Sequence, residues 1–184
     1  MNQGFVGWSV APRAQGGLIE KITVTGAVRA SILFDRIPQV YSDLSLVVVA
    51  RSDTAANGTN LQAQFNGDTS AIYNWQRLDA LAASTSADEH FSQTSAVLMN
   101  IAAANGTAGY PGQALAWFPG YAGAVFNKGF SSMGMVNINN STQGCQLLTY
   151  CGLWRSTAAI QSMLLTPAAG SFIIGSEFRL YGNP

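Results

Sequence analysis

The stretch from residue 36 to residue 78 constrains the fold most, because short apolar segments alternate there with polar turns. It contains the apolar run Leu46 to Ala50 and, after a polar loop, the alternating segment Leu61 to Phe65. Side chains on one side of a β-strand recur at every second position, so the second segment predicts a strand with one dry face and one wet face. The uninterrupted first run predicts a strand that is covered on both faces, by a second sheet or by a neighbouring subunit.

A turn signal follows the alternating segment at Asn66 and Gly67. Both residue types adopt positive φ at low cost, as the tight turns between strands require. The segments 43–51, 59–66 and 70–78 therefore predict three strands joined by two short connections.

The rest of the chain repeats this spacing of strands and turns, and it contains no pattern typical of a long helix. Further strands are predicted at 18–26, 27–34, 96–102, 113–118, 121–128, 130–138, 145–155, 158–165 and 171–181. Residues 79–91 predict a loop with room for one helical turn. Because parallel sheets need crossover helices, the pattern predicts an all-β fold, either an antiparallel sandwich or a barrel.

A single domain, residues 18–184, is predicted to follow an N-terminal arm, residues 1–17. Several glycines and Pro12 interrupt regular structure in the arm, whereas Phe5 and Trp8 are too apolar to be left in water. We expect the arm to dock on its own domain or on a neighbouring subunit, and we favour the neighbour.

Charged residues make up only 10% of the chain, whereas globular proteins usually carry about 25%. A surface poor in charge suits a protein that packs against other subunits, and a β-protein with a neutral polar surface is the alternative. The nine basic and nine acidic residues give a net charge of zero, and no basic stretch occurs. We therefore expect no nucleic acid as a direct partner.

The sequence also argues against a membrane partner, a cofactor and a metal site. The first residues lack the basic segment and apolar core of a secretory signal, and no apolar run reaches the ~20 residues that span a bilayer. We expect synthesis in a cytoplasm. Cys145 and Cys151 are too far apart along one strand for a disulfide, so we expect two small buried thiols.

Catalysis is not predicted, because the chain lacks a convincing reactive cluster. His90 is the only histidine, and it lies beside Asp88 and Glu89 with serines nearby, which leaves a Ser–His–Asp arrangement open. No Gly-x-Ser-x-Gly motif accompanies it, and we expect a solvated loop histidine. Asp43 and Asp68 lie in predicted turns, where aspartate stabilises the backbone itself.

Aromatic residues are the best candidates for a binding function, because tryptophan and tyrosine are enriched at subunit interfaces. They could equally line a sugar-binding groove or fill the core, and we favour core and interface. The aromatic set comprises Tyr73, Trp75, Trp117, Phe118, Tyr121, Trp154 and Tyr181. The residues predicted to form an interface are Phe5, Trp8, Trp117, Phe118 and Tyr121.

Several motifs carry a resemblance to a known family. They are Ile37-Pro38-Gln39-Val40-Tyr41-Ser42-Asp43-Leu44, Arg51-Ser52-Asp53, Phe65-Asn66-Gly67-Asp68, Trp154-Arg155-Ser156-Thr157-Ala158-Ala159-Ile160 and Gly175-Ser176-Glu177-Phe178-Arg179-Leu180-Tyr181-Gly182. In this order the motifs resemble those of tailed-bacteriophage virion proteins. The resemblance covers residues 18–182.

The resemblance implies an antiparallel β-sandwich of jelly-roll type that serves as a structural building block and forms homotrimers. It implies a capsid decoration (cement) or minor capsid protein, which binds the major capsid protein or other virion proteins in particles assembled in the host cytoplasm. The alternative is a tail-fibre or receptor-binding module that recognises a host glycan through aromatic residues such as Trp117 and Tyr121. The resemblance implies no catalytic residue.

Overall fold

The structure, a computed structural model, describes residues 16–140 and 143–184. These residues form two antiparallel β-sheets, one of eight strands and one of four, that enclose a single apolar core. The prediction of an antiparallel β-sandwich is therefore confirmed. Residues 1–15, which include most of the predicted arm with Phe5 and Trp8, lie outside the described residues.

The described strands are numbered in chain order. They are β1 (Gly17–Thr23), β2 (Ile32–Phe34), β3 (Asp43–Ala50), β4 (Gly58–Phe65), β5 (Tyr73–Leu81), β6 (Ser84–Gln93), β7 (Ala96–Ala102), β8 (Gly112–Pro119), β9 (Lys128–Asn140), β10 (Gln143–Trp154), β11 (Met163–Pro167) and β12 (Glu177–Asn183).

The larger sheet has the strand order β1-β12-β3-β8-β9-β10-β5-β6, and the smaller sheet has the order β2-β11-β4-β7. From β1 to β4 the chain changes sheet at every connection, so consecutive strands lie in opposite sheets. The hairpins β5–β6 and β9–β10 instead stay within the larger sheet. They extend that sheet on the far side of β8.

The strands of the core follow the predicted alternation. Leu46, Val48 and Ala50 of β3 point into the core and are at most 2% exposed. Val47 and Val49 point the other way and are only partly buried. Within one subunit no second sheet covers the outer face of this strand, so cover by a neighbouring subunit stays a prediction.

An aromatic cluster joins the two sheets. Phe65 of the smaller sheet lies with its ring centroid 5.9 Å from that of Tyr73, 5.7 Å from that of Phe118 and 5.6 Å from that of Trp154, all in the larger sheet. The Tyr73 hydroxyl accepts a hydrogen bond from Phe65 N at 3.0 Å and donates one to Asp68 O at 2.9 Å. These aromatic residues therefore belong to the core, as the favoured interpretation had it.

Two of the predicted interface residues are in this core. Phe118 is 1% exposed and Tyr121 is 0% exposed, and the Tyr121 hydroxyl donates a hydrogen bond to Pro38 O. The placement of both at a subunit interface is therefore a wrong prediction, because their side chains are already fully packed within one subunit.

The predicted turn at Asn66 and Gly67 is confirmed, since both residues have positive φ, 54° and 69°. However, β4 and β5 belong to different sheets, so the turn carries the chain across the sandwich and does not close a hairpin. The Asn66 side chain holds the crossing in place. Its Oδ1 accepts a hydrogen bond from Gln161 N at 2.8 Å, and its Nδ2 donates one to Ala159 O at 2.8 Å.

Three local predictions are wrong. Residues 79–91 are not a loop, because β5 runs to Leu81 and β6 pairs with it along the sheet edge. The predicted strand 121–128 is a loop in which Phe126 is 80% exposed. The predicted strand at 27–34 contracts to β2, its last three residues.

The expectation of buried thiols is also wrong. Cys145 and Cys151 are free and exposed, on the outward-facing side of β10. Their inward-facing neighbours Gln146 and Tyr150 are buried. The alternation of the strand therefore places both thiols outside the core.

We predict that Gly152→Ala destabilises the fold. A Cβ added there would lie 2.4 Å from Phe130 Cζ and 2.5 Å from Asn74 O. Overpacking of this kind costs about 1–3 kcal/mol, which should appear as a lower free energy of unfolding in urea. Gly129→Ala on the adjacent strand is the matched control, because its Cβ would meet no atom closer than 3.8 Å. Equal losses for the two variants would contradict the packing at Gly152.

We predict that Asp68 makes the fold sensitive to acid. Hydrogen bonds from Ser70, from both its hydroxyl and its backbone N–H, and one from Trp154 Nε1 at 3.0 Å hold the pKa of Asp68 below its ordinary value of 3.8. A carboxylate with a lowered pKa in the folded state stabilises the fold above the unfolded-state pKa, and this stabilisation is lost as the pH falls through the folded-state pKa.

In Asp68→Asn, the free energy of unfolding should therefore be lower by about 1 kcal/mol at neutral pH and vary less between about pH 5 and pH 2. Urea unfolding across this pH range measures both effects. Asp35→Asn is the control, because that carboxylate is 62% exposed and its nearest cation, Arg36, is 3.8 Å away. An unchanged pH profile in Asp68→Asn would remove this residue from the account of acid sensitivity.

Candidate functional site

The outer face of the larger sheet, which points away from the smaller sheet, is the candidate functional site. It is strongly apolar. Eight large apolar side chains on its strands β8, β9, β10, β5 and β6 are between 36% and 62% exposed: Leu78, Phe91, Leu115, Trp117, Met133, Met135, Leu147 and Leu153. Antiparallel sheets usually present polar residues on their solvent face, and a contiguous apolar patch of this kind marks an interaction site.

The apolar patch of this face is built from two adjacent rows of side chains that cross the strands. One row runs Val47, Leu115, Met133, Thr149 and Leu78, and the next runs Val49, Gln113, Met135, Leu147 and Ala80. A depression of about 430 Å³ lies over the part of these rows that is on β3, β8 and β9, and Arg179 also lines it. We call these two rows the apolar patch.

A third row borders the apolar patch and spans all eight strands. It runs Leu18, Tyr181, Ser45, Trp117, Ser131, Cys151, Gln76 and Glu89, each paired with the next. We call it the cross-strand row. Its side chains at Ser45, Ser131 and Cys151 are small, whereas Tyr181 and Trp117, which alternate with Ser45 and Ser131 along the row, are large.

An open groove of about 480 Å³ occupies the half of the cross-strand row that lies on β8, β9, β10, β5 and β6. Its floor is formed by Gly129, Ser131 and Cys151, where little or no side chain rises above the sheet. Trp117 stands at one end and Phe91 at the other, and both are exposed. Polar side chains complete the lining, at Asn74, Gln76 and Glu89. The groove therefore offers aromatic surfaces together with a few hydrogen-bonding groups.

Charge is confined to the margins of the outer face. From β8 to β10 none of the described outward-facing side chains is charged. At one margin Glu177 lies 2.5 Å from Lys21 and 3.0 Å from Arg179. The hydrogen bond from Lys21 and the two positive charges lower the pKa of Glu177. Association through the centre of this face would therefore depend on apolar contact.

His90 lies on β6, not in a loop as expected. Its Nε2 is 3.0 Å from Asp88 Oδ1, and its ring stacks on Trp75 with the centroids 4.0 Å apart. The hydrogen bond from His90 is the main reason why the pKa of Asp88 is lowered. Of the nearby serines, Ser86 donates to Asp79 and Ser92 Oγ accepts from Arg155. His90 and Asp88 are therefore paired with each other, whereas Ser86 and Ser92 bond to other residues.

Two features of the described residues bear on other functions. Within residues 16–140 and 143–184, no three His, Cys, Asp or Glu side chains lie together in a way that could hold a metal ion. The same part of the chain contains no helix with the length and apolar character needed to cross a membrane.

The motif residues that carry the family resemblance brace loops and do not form a site. The Gln39 amide donates to Ile37 O at 2.7 Å and to Ile160 O at 2.9 Å. The Arg51 guanidinium donates to four carbonyl oxygens of the loop 104–110. Asp53 Oδ1 accepts from Ser171 N at 2.7 Å. These contacts stabilise the fold, and this stabilising role is sufficient to explain the residue types at the motif positions.

Comparisons of this chain with protein-family models, with curated proteins and with solved structures found no match. Any functional conclusion therefore depends on the geometry described above.

Of the five predicted interface residues, Trp117 is the one that the structure places at the surface, with 45% exposure. Phe118 and Tyr121 are buried, and Phe5 and Trp8 lie outside the described residues. Sequence reasoning missed the apolar patch, although a signal exists. Residues 114–118 are apolar at every position, and a strand without polar alternation is expected to be apolar on both faces.

Proposed function

We propose that this chain is a structural subunit of a bacteriophage virion, either a capsid decoration (cement) protein or a minor capsid protein. It acts by packing against copies of itself, and against the major capsid protein or other virion proteins, through the outer face of the larger sheet. The observation that carries this proposal is the apolar patch, which a protein working alone in solution would have no reason to expose.

The winding of the chain supports the proposal. When the hairpins β5–β6 and β9–β10 are set aside, the other eight strands form two four-stranded sheets ordered β1-β12-β3-β8 and β2-β11-β4-β7. Consecutive strands among these eight lie in opposite sheets, except β4 and β7, which are neighbours in the smaller sheet. We interpret this order as a jelly roll, an architecture that recurs in viral capsid domains and in lectins.

The size of the outer face also supports the proposal. Its eight large apolar side chains expose on the order of 800 Å² together, which is close to the ~800 Å² that each partner contributes to a standard protein interface. A cement protein repeats one such contact many times over a shell. Because each contact buries mainly apolar area, the shell gains stability from each one with little dependence on ionic strength.

A double substitution in the apolar patch tests this function. Leu115→Lys with Met133→Lys places two charges where partners would exclude water, so self-association and the number of copies on purified particles should both fall at least about tenfold. The fold should persist, because the two residues are 51% and 62% exposed. Sedimentation of the purified chain and quantitative gels of particles measure the two effects.

Leu33→Lys is the matched control. Leu33 is also 51% exposed, but it lies on β2 in the smaller sheet. This variant should associate and occupy particles as the unmodified chain does. If the double variant is incorporated as well as the control, the apolar patch is not the contact surface and the proposal loses its basis.

A second candidate function is favoured by the groove at Trp117. In that case the chain would be a tail-fibre or receptor-binding module that holds a host glycan. Binding sites for small polar ligands combine apolar surfaces with a few placed polar groups, and the groove has Trp117 and Phe91 for the first and Gln76 and Glu89 for the second. Tyr121, which was expected to contribute, is buried and cannot.

We expect Trp117→Ala to abolish glycan binding if this second function is the true one. Loss of a stacking partner should lower affinity at least about tenfold on a glycan array. Tyr110→Ala is the control, since Tyr110 is an aromatic residue of similar exposure, 53%, outside the groove. If the unmodified chain binds no glycan on the array, the second candidate is eliminated.

A further inference from the structure

The cross-strand row begins where residues 1–15 join the sandwich. Leu18, its first residue, is the second residue of β1. Just before it, Gly16 lies so close to the C-terminal residues that a Cβ there would be 2.8 Å from Pro184 Cδ and 3.0 Å from Gly182 O. The chain therefore enters the sheet at a defined point, at the end of this row.

The cross-strand row leads from this point past Tyr181, Ser45 and Trp117 to the groove, and we call the groove together with this path the trough. The small side chains of Ser131 and Cys151 form its floor within the groove, and Trp117 stands where the path enters the groove. On one side stand Leu115 and Met133 of the apolar patch, both more than half exposed. An extended segment that crosses the strands at this level would lie against these two side chains.

The length of residues 1–15 fits this trough. The centre of the groove, between β9 and β10, is four to five strand spacings from β1, which is about 22 Å at ~4.8 Å per spacing. Trp8 lies ten residues before Leu18 and can extend up to ~33 Å from it. Phe5 has still greater reach. Both aromatic side chains can therefore reach the groove of their own molecule.

We propose that residues 1–15 dock in the trough of the same molecule and place Trp8 in the groove beside Trp117. The segment contains the apolar side chains of Phe5, Val6 and Trp8, and the groove is lined mainly by apolar surface. A tethered segment has an effective concentration in the millimolar range, so it occupies a site within reach before a separate molecule does. Docking of this kind requires no other protein and is independent of the proposed role in a particle.

A disulfide trap tests this docking, because Cys151 is exposed on the trough floor. In a Cys145→Ser background, Ser9→Cys places a thiol next to Trp8. Under mild oxidation at low protein concentration we expect a disulfide between position 9 and Cys151 within one chain, identified by peptide mass spectrometry. Its yield should not change on tenfold dilution. Leu33→Cys in the same background is the control and should give no intramolecular product, because Leu33 lies on the smaller sheet.

A second measurement uses the unmodified cysteines. Docked residues would shield Cys151 and leave Cys145 accessible. Replacing Phe5 and Trp8 with serine should therefore raise the alkylation rate of Cys151 about fivefold while that of Cys145 stays constant. A disulfide found only between two chains and lost on dilution would show that the trough takes the segment of a second copy. That result, or an unchanged alkylation rate at Cys151, overturns the proposal.

Discussion

The contact between Phe65 and the aromatic residues of the larger sheet is the interaction on which the rest of the structure depends. Phe65 contributes the only ring from the smaller sheet to this cluster among the described contacts, and it meets Tyr73, Phe118 and Trp154 from three different strands. Asp68 then joins the cluster to the turn, through Trp154 Nε1 and the Tyr73 hydroxyl. Because the chain crosses between the sheets at this turn, the position of one sheet on the other is set here.

With the sheets positioned in this way, the larger sheet is left with a wide outer face. Its eight strands are twice the number in the smaller sheet, since β5–β6 and β9–β10 extend it. The two hairpins supply much of the outer surface, including Met133, Leu147 and the floor of the groove. The same strands thus close the core on one side and build the interaction surface on the other. Fold and proposed function are therefore linked through one set of strands.

The sequence predicted those parts of the fold in which burial alone decides the conformation. Strands β4 and β7 were placed within one residue, because each has a continuous apolar side that the core requires. Strand β6 was missed because it is held by pairing with β5 and not by burial. Strand pairing alone produces no hydrophobic pattern in a polar segment. The loop around Phe126 was mistaken for a strand because its apolar residues are exposed. Trp117 was correctly expected at the surface. Its neighbour Phe118 was placed there too, because the sequence does not show which of two consecutive apolar residues of β8 points into the core.

The polar composition of β6 has a consequence for how copies of this chain can add to one another. Strand β6 forms one of the two margins of the larger sheet, and its segment STSADEHFSQ carries three charged or titratable residues and four hydroxyl side chains. Such margins resist the strand-by-strand growth that joins sheets of different molecules into fibrils. Lateral addition at this margin is thereby disfavoured, and association through the broad outer face is favoured over it. Contacts through a broad face are compatible with a closed shell, whereas strand addition at the edge would produce an open ribbon.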